Sequence, residues 1–244
     1  KELAEKAHLI IIPCANPDGR ARVPFRSVVG MELDTFRYFD QGAWKDGSLC
    51  NWPDCKRIHP IKNQVSFLGG YFNDDGINLM HDTFFAPMAE ETKLILSIAS
   101  EYAPDFIVNL HGAADMGNGF YEVDLAPLSM RRQLFTFEEH LQEVFFKNGW
   151  KYIMIDHGDC YPSKEFNLTV ALYLCCGGFS ITWESYQGVT KDMHEENQID
   201  LDNTKTHDSI YESHLTLFEE IYYFTKRICA ERKNNHVSNN FKNT

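Results

Sequence analysis

Apolar positions along the chain fall into two kinds of run. "HLIIIP" (8–13), "DFIVNLHG" (105–112), "WKYIMID" (150–156) and "FSITWES" (179–185) are short, rich in β-branched or aromatic residues, and bounded by turn formers. That pattern predicts strands, the first of them covered on both faces in the middle of a sheet. Between them lie longer stretches with helical spacing. In "APMAEETKLILSIASEYAP" (86–104), Pro87 and two acids mark a helix start, and Leu94, Ile95, Ile98 and Tyr102 are spaced for one buried face. A second helix, "LSMRRQLFTFEEHLQEVFFKNG", is closed by Gly149, and "EFNLTVALYLCCGG" predicts a buried helix with a glycine stop. A long amphipathic helix over 203–232 precedes a polar tail, 234–244.

Strands alternating with helices argue an α/β architecture: a mixed, largely parallel central sheet with helices on both faces. In such sheets ligands sit beyond the carboxyl ends of the strands. Three polar strand endings gather there: "NPDG" (16–19), "NLHG" (109–112) and "WES" (183–185). Residues from about 14 to 65 have little clean period and predict a long, partly ordered excursion, a length usually tied to function. No internal repeat or linker divides the chain, so 1–233 reads as one domain. The opening "KELAEKA" resembles the last turns of a helix, and the expectation is a domain incomplete at its N-terminus.

The net charge of -12 argues against nucleic acid and anionic membranes as partners, since "KRICAERK" is mixed with acid. No stretch has the apolar length of a membrane helix. Seven scattered cysteines suggest reduced thiols and a cytoplasmic location rather than a disulfide framework. "CNWPDCKRIH" offers Cys50, Cys55 and His59 to a metal, with an ordinary proline-containing loop as the alternative.

His111, ending its strand beside Gly112, is placed either to bind zinc through one ring nitrogen or to serve as a hydrogen-bonded structural histidine. Glu184 ends an apolar strand, where desolvation suits a carboxylate to general-base work; the alternative is a glutamate that reaches solvent. Asn16-Pro17-Asp18-Gly19, then the strand-ending His111, then Thr182-x-Glu184, is an ordered set that resembles the zinc carboxypeptidase family, the funnelin-type metallocarboxypeptidases and their deacylase relatives. "DDGINLMHD" (74–82) followed by "APMAEETK" is similar to a further stretch of that family.

The resemblance, over residues 8 to about 190, implies a phosphorylase/hydrolase-like carboxypeptidase fold whose first strands lie outside this chain. It implies a zinc-dependent hydrolase of a peptide or amide bond, acting on a peptide or acyl-amino-acid substrate. His111 would be a ligand of one Zn2+ and Glu184 the general base. The family's His-x-x-Glu ligand pair precedes the Asn-Pro-Asp-Gly strand and is not in this chain, so the zinc would require ligands from outside it. "HLQE" (140–143) falls after His111 on a helix and reads as a solvated face, while Asp115 and His157 lack ligand spacing. Met80-His81 stands where the family grips a terminal carboxylate with Asn-Arg. His81 would serve only when protonated or as a donor, which shifts the expectation toward amidase or deacylase substrates. Arg20, Arg22 and Tyr161 complete the expected substrate-binding set. The alternative is a catalytically inactive, carboxypeptidase-like ligand-binding module. A serine hydrolase is disfavoured, because no Gly-x-Ser-x-Gly elbow is present.

Overall fold

The computed structural model describes residues 5–25, 30–85, 87–113, 119–121, 125–150, 152, 166–186 and 207–240. Helices and strands are mixed, as the apolar pattern predicts. In chain order the elements are α1 (Pro17–Arg22), α2 (Leu33–Asp40), β1 (Gly42–Trp44), β2 (Val65–Leu68), α3 (Glu90–Tyr102), β3 (Phe106–Ala113), β4 (Gly119–Tyr121), α4 (Leu128–Lys147), α5 (Leu168–Cys176), β5 (Phe179–Tyr186) and α6 (His207–Asn240). Short 3-10 turns occupy Asp54–Arg57 and Leu79–His81.

Three strands form the sheet that carries the site, in the order β3-β5-β4. β3 runs parallel to β5, with Phe106 opposite Phe179 and His111 opposite Glu184; β4 is antiparallel to β5. Alternation along the strands divides their side chains between two faces. Phe179, Ile181 and Trp183 are buried against Leu134, Phe137, Leu141 and Phe145 of α4 and Leu217, Phe224 and Ile228 of α6, with Phe106 and Val108 packed alongside. The opposite face carries Ile107, which packs with Ala99 of α3 and with Leu168 and Leu172 of α5. On that face Thr182 shares a 2.5 Å hydrogen bond with Thr169 of α5. Helices therefore cover both faces of the β3–β5 pair.

Local chemistry explains the ends of α5. The Asn167 side chain accepts from Val170 N–H at 3.1 Å, and Gly177 closes the helix at φ 74°, a left-handed conformation that glycine adopts without strain.

Several expectations are corrected. Residues 8–12 form no strand, and Leu9, Ile10, Ile11 and Ile12 are exposed; an apolar run becomes a strand only where a ladder satisfies its backbone, and no described segment supplies one. The stretch expected as a partly ordered excursion is well built: β1 and β2 form an antiparallel hairpin over a small core of Cys50, Cys55, Ile61, Val65 and Phe72. On α3 the buried residues are Thr92 and Ala99, while Leu94 and Tyr102 are exposed, because the sheet meets the helix along a narrower stripe than its sequence offers. α6 continues to Asn240 through most of the expected tail. Of the strand expected at 150–156, only Trp150 and Tyr152 are described. Among the described residues no helix is long and apolar enough to cross a membrane.

Candidate functional site

The Asn-Pro-Asp-Gly turn begins α1. Asn16 caps it by accepting from Gly19 N–H at 3.0 Å, and its amide donates to Gly70 O at 3.1 Å. A Cβ on Gly19 would lie 2.0 Å from Gly70 O, so only glycine permits this approach. Asp18 accepts from Asp74 N–H at 2.9 Å. Arg22 donates to the Gly69 and Phe72 carbonyls at 2.8 and 3.0 Å and pairs with Asp74. The turn is thus bolted to residues 69–74. Arg22, expected to hold substrate, is engaged in that brace, whereas the side chain of Arg20 is exposed.

His111 and Glu184 are register partners and share a face, so β3 and β5 bring together the two residues that carry the resemblance; neither ends its strand as expected, because the parallel ladder continues two residues further, to Ala113 and Tyr186. His111 Nδ1 lies 3.8 Å from Glu184 Oε1, too long for a direct hydrogen bond. One oxygen atom set between them could touch both at ordinary distances. The glutamate side chain is 16% exposed and the imidazole 34%. Burial lifts Glu184 to about 7 and draws His111 down to about 4; each group is pushed toward its neutral form.

The turn Leu79–His81 docks over the same face, with Asn109 donating to Met80 Sδ at 3.3 Å and Met80 packed near Ile107. His81 is pushed down to about 3, first by burial and then by Lys56, Arg57, His59 and His111. It is therefore neutral at physiological pH. The indole of Trp52 stands 5.5 Å from the His81 ring and 5.3 Å from Tyr71, centroid to centroid. Burial drives the Tyr71 phenol upward, assisted by Asp40, Cys55 and Glu184, while Gln41 opposes the rise. Asp40 is itself raised to about 6 by burial.

Sequence reasoning brought out His111, Glu184 and His81, which the fold gathers, and missed Trp52, Lys56, Tyr71 and Asp40. Asp40, Trp52 and Lys56 lie in the expected excursion and Tyr71 lies just past β2; the Gly69-Gly70 pair before Tyr71 is the one local signal of a close approach. Tyr161, Asp115 and His157 lie outside the described residues.

Among the described residues, no three His, Cys, Asp or Glu side chains gather as a metal-holding group. Cys50 and Cys55 are fully buried, and desolvation pushes their thiols up to about 12 and about 11; such thiols are inert, not metal-ready. His140 pairs with Glu220 of α6 at 2.8 Å, and Glu143 with Lys147 at 3.8 Å, so "HLQE" serves the helix surface. An open recess of about 300 Å³ lined by Arg132, Gln133, Arg227 and Glu231 belongs to the helix layer on the other face of the sheet. No protein-family model, curated protein or solved structure matches this chain.

Proposed function

We propose that this protein is a metallocarboxypeptidase-like hydrolase of a peptide or amide bond, with Glu184 as general base. The observation that carries the reading is the register pairing of His111 with Glu184 on parallel neighbouring strands. A carboxyl group raised to about 7 is matched to accepting a proton from water near neutrality and returning it to the departing amine. His111, kept neutral by burial, presents an unprotonated ring nitrogen, the form a metal ion needs.

In this reading the domain has the larger, mostly parallel sheet of a carboxypeptidase fold, and one Zn2+ takes His111 as a ligand. The described residues offer that ion one suitable ligand and do not complete a set, which normally needs three. The proton transfers fall to Glu184 alone. The second reading is a carboxypeptidase-like ligand-binding module without turnover. The substrate is a peptide or acyl-amino acid.

The two readings separate in one experiment: release of free amino acid from N-acylated amino acids and short peptides by the purified protein, with and without a chelator. The hydrolase reading expects chelator-sensitive release that Glu184→Gln abolishes. Binding of the same compounds without release would support the module.

A further inference from the structure

The two helices that cover the sheet face away from His111 and Glu184 hold a recess of their own. α4 and α6 pack through Phe137 and Phe224, whose ring centroids are 4.6 Å apart, and through His140 and Glu220, 2.8 Å apart. Contacts that advance along one helix retreat along the other, so the pair is antiparallel. One turn beyond the two phenylalanines, Arg132, Gln133 and Thr136 of α4 come opposite Arg227, Ile228 and Glu231 of α6. There the helices leave an open recess of about 300 Å³, at the lower end of the range for small-molecule sites, about 300–1,000 Å³.

Its floor is apolar and its rim is charged. Ile228 is buried, and the Arg227 guanidinium is held over the ring of buried Phe224, 5.6 Å from the centroid, a cation–π contact. Arg132, Arg227 and Glu231 are exposed, and among the described residues none of the three is in an ion pair. Two arginines against one glutamate leave the rim net positive on a chain whose total charge is -12. A dianion such as a phosphate ester would meet Glu231 as well as the arginines. A zwitterion finds an opposite charge for each of its groups. Its carboxylate matches the donor forks of the arginines, and its ammonium matches the Glu231 carboxylate. The Gln133 amide and the Thr136 hydroxyl add neutral hydrogen-bonding groups.

We infer that this recess between α4 and α6 is a binding site for a free α-amino acid with an apolar side chain. Arg132 and Arg227 hold the carboxylate, Glu231 holds the ammonium, and the side chain lies against Ile228. The site goes beyond the hydrolase reading. It uses no residue of the face that carries His111 and Glu184, and no bond is made or broken in it.

The test is calorimetric binding of leucine to the full protein, beside two analogues that each lack one charge. These are 4-methylpentanoic acid, without the ammonium, and 3-methylbutylamine, without the carboxylate. Leucine should bind about fivefold or more tightly than either, the upper range for one partly exposed ion pair. The double variant Arg132→Gln, Arg227→Gln should weaken leucine about tenfold or more with the far-ultraviolet dichroism unchanged. Arg132→Gln alone, which keeps the contact of Arg227 with Phe224, should weaken it about threefold or more. Glu231→Gln should cut the advantage of leucine over 4-methylpentanoic acid to about twofold or less. Equal binding of the three compounds, or binding of none up to about 10 mM, would overturn the site. So would leucine affinity unchanged by the arginine variants, which would mean that leucine binds elsewhere, the face of His111 and Glu184 included. None of these outcomes depends on whether Glu184 acts as a base.

Discussion

His111 and Glu184 stand opposite each other on parallel neighbouring strands, Nδ1 of one 3.8 Å from Oε1 of the other, and they are not an ion pair. Burial draws the imidazole down to about 4 and lifts the carboxyl to about 7. Across that interval both side chains are uncharged. Above it a carboxylate faces a neutral imidazole. Their juxtaposition therefore comes from the sheet register and the hydrophobic layers on both faces, not from mutual attraction, and the geometry is suited to a third group placed between them.

This arrangement costs stability in a definite pH window. The folded-state pKa of Glu184 is raised from its ordinary 4.5 to about 7, so the native state holds the proton more tightly than the unfolded chain. Stability contributed by that proton is fully present below about 4.5 and is lost as pH rises through about 7. Glu184→Gln lacks the titration. In the metal-free protein the variant should be more stable than wild type by about 1–3 kcal/mol at pH 8, with the difference vanishing near pH 4.5. Urea unfolding at the two pH values reads this directly, and a wild type more stable than the variant at pH 8 would contradict it. The lowered pKa of His111 opposes folding as pH falls from 6.5 toward about 4, but it is common to both proteins and cancels.

The brace between α1 and residues 69–74 has no room for a methyl group. Gly19→Ala places a carbon where Gly70 O stands and should lower stability by about 1–3 kcal/mol, the usual cost of overpacking a tight contact. A urea midpoint unchanged from wild type would show that the turn is free to move away.

Cys50 and Cys55 should resist thiol reagents. The thiolate is the reactive form, and both thiols are fully buried with pKa values pushed far above neutrality. Mass spectrometry after brief alkylation of the native protein should find Cys14 and Cys175, which are exposed, modified, and Cys50 and Cys55 unmodified until denaturant is added. Rapid native labelling of either buried thiol, or protection of the pair by added zinc, would revive the metal reading of that loop.

Much of the fold was legible because its helices and two of its strands follow local rules. β5 alternates Phe179, Ile181 and Trp183 with polar residues, and α5 has an asparagine cap and a glycine stop; such signals need no knowledge of the rest of the chain. The run Leu9–Ile12 misled because strand formation depends on a partner, and the partner is not written in the run itself. Likewise, His111 and Glu184 were readable as lying near strand ends, but their pairing was not, since 73 residues separate their positions in the sequence and only the parallel register aligns them. Trp52, Lys56 and Tyr71 were illegible for a related reason. Trp52 and Tyr71 lie in loops after β1 and β2 and Lys56 in a 3-10 turn, and the buried Gln41 that accepts from Trp52 N–H leaves no periodic trace in the sequence.

In the proposed mechanism His111 serves the metal and Glu184 serves the proton. The direct measurement is zinc content and turnover, taken together, for the full-length protein, His111→Ala and Glu184→Gln, using one N-acylated amino acid as substrate. On that assignment His111→Ala loses both zinc and turnover, while Glu184→Gln keeps stoichiometric zinc and loses turnover by about 100-fold or more. Stoichiometric zinc in His111→Ala, or turnover by Glu184→Gln within about threefold of wild type, would contradict it.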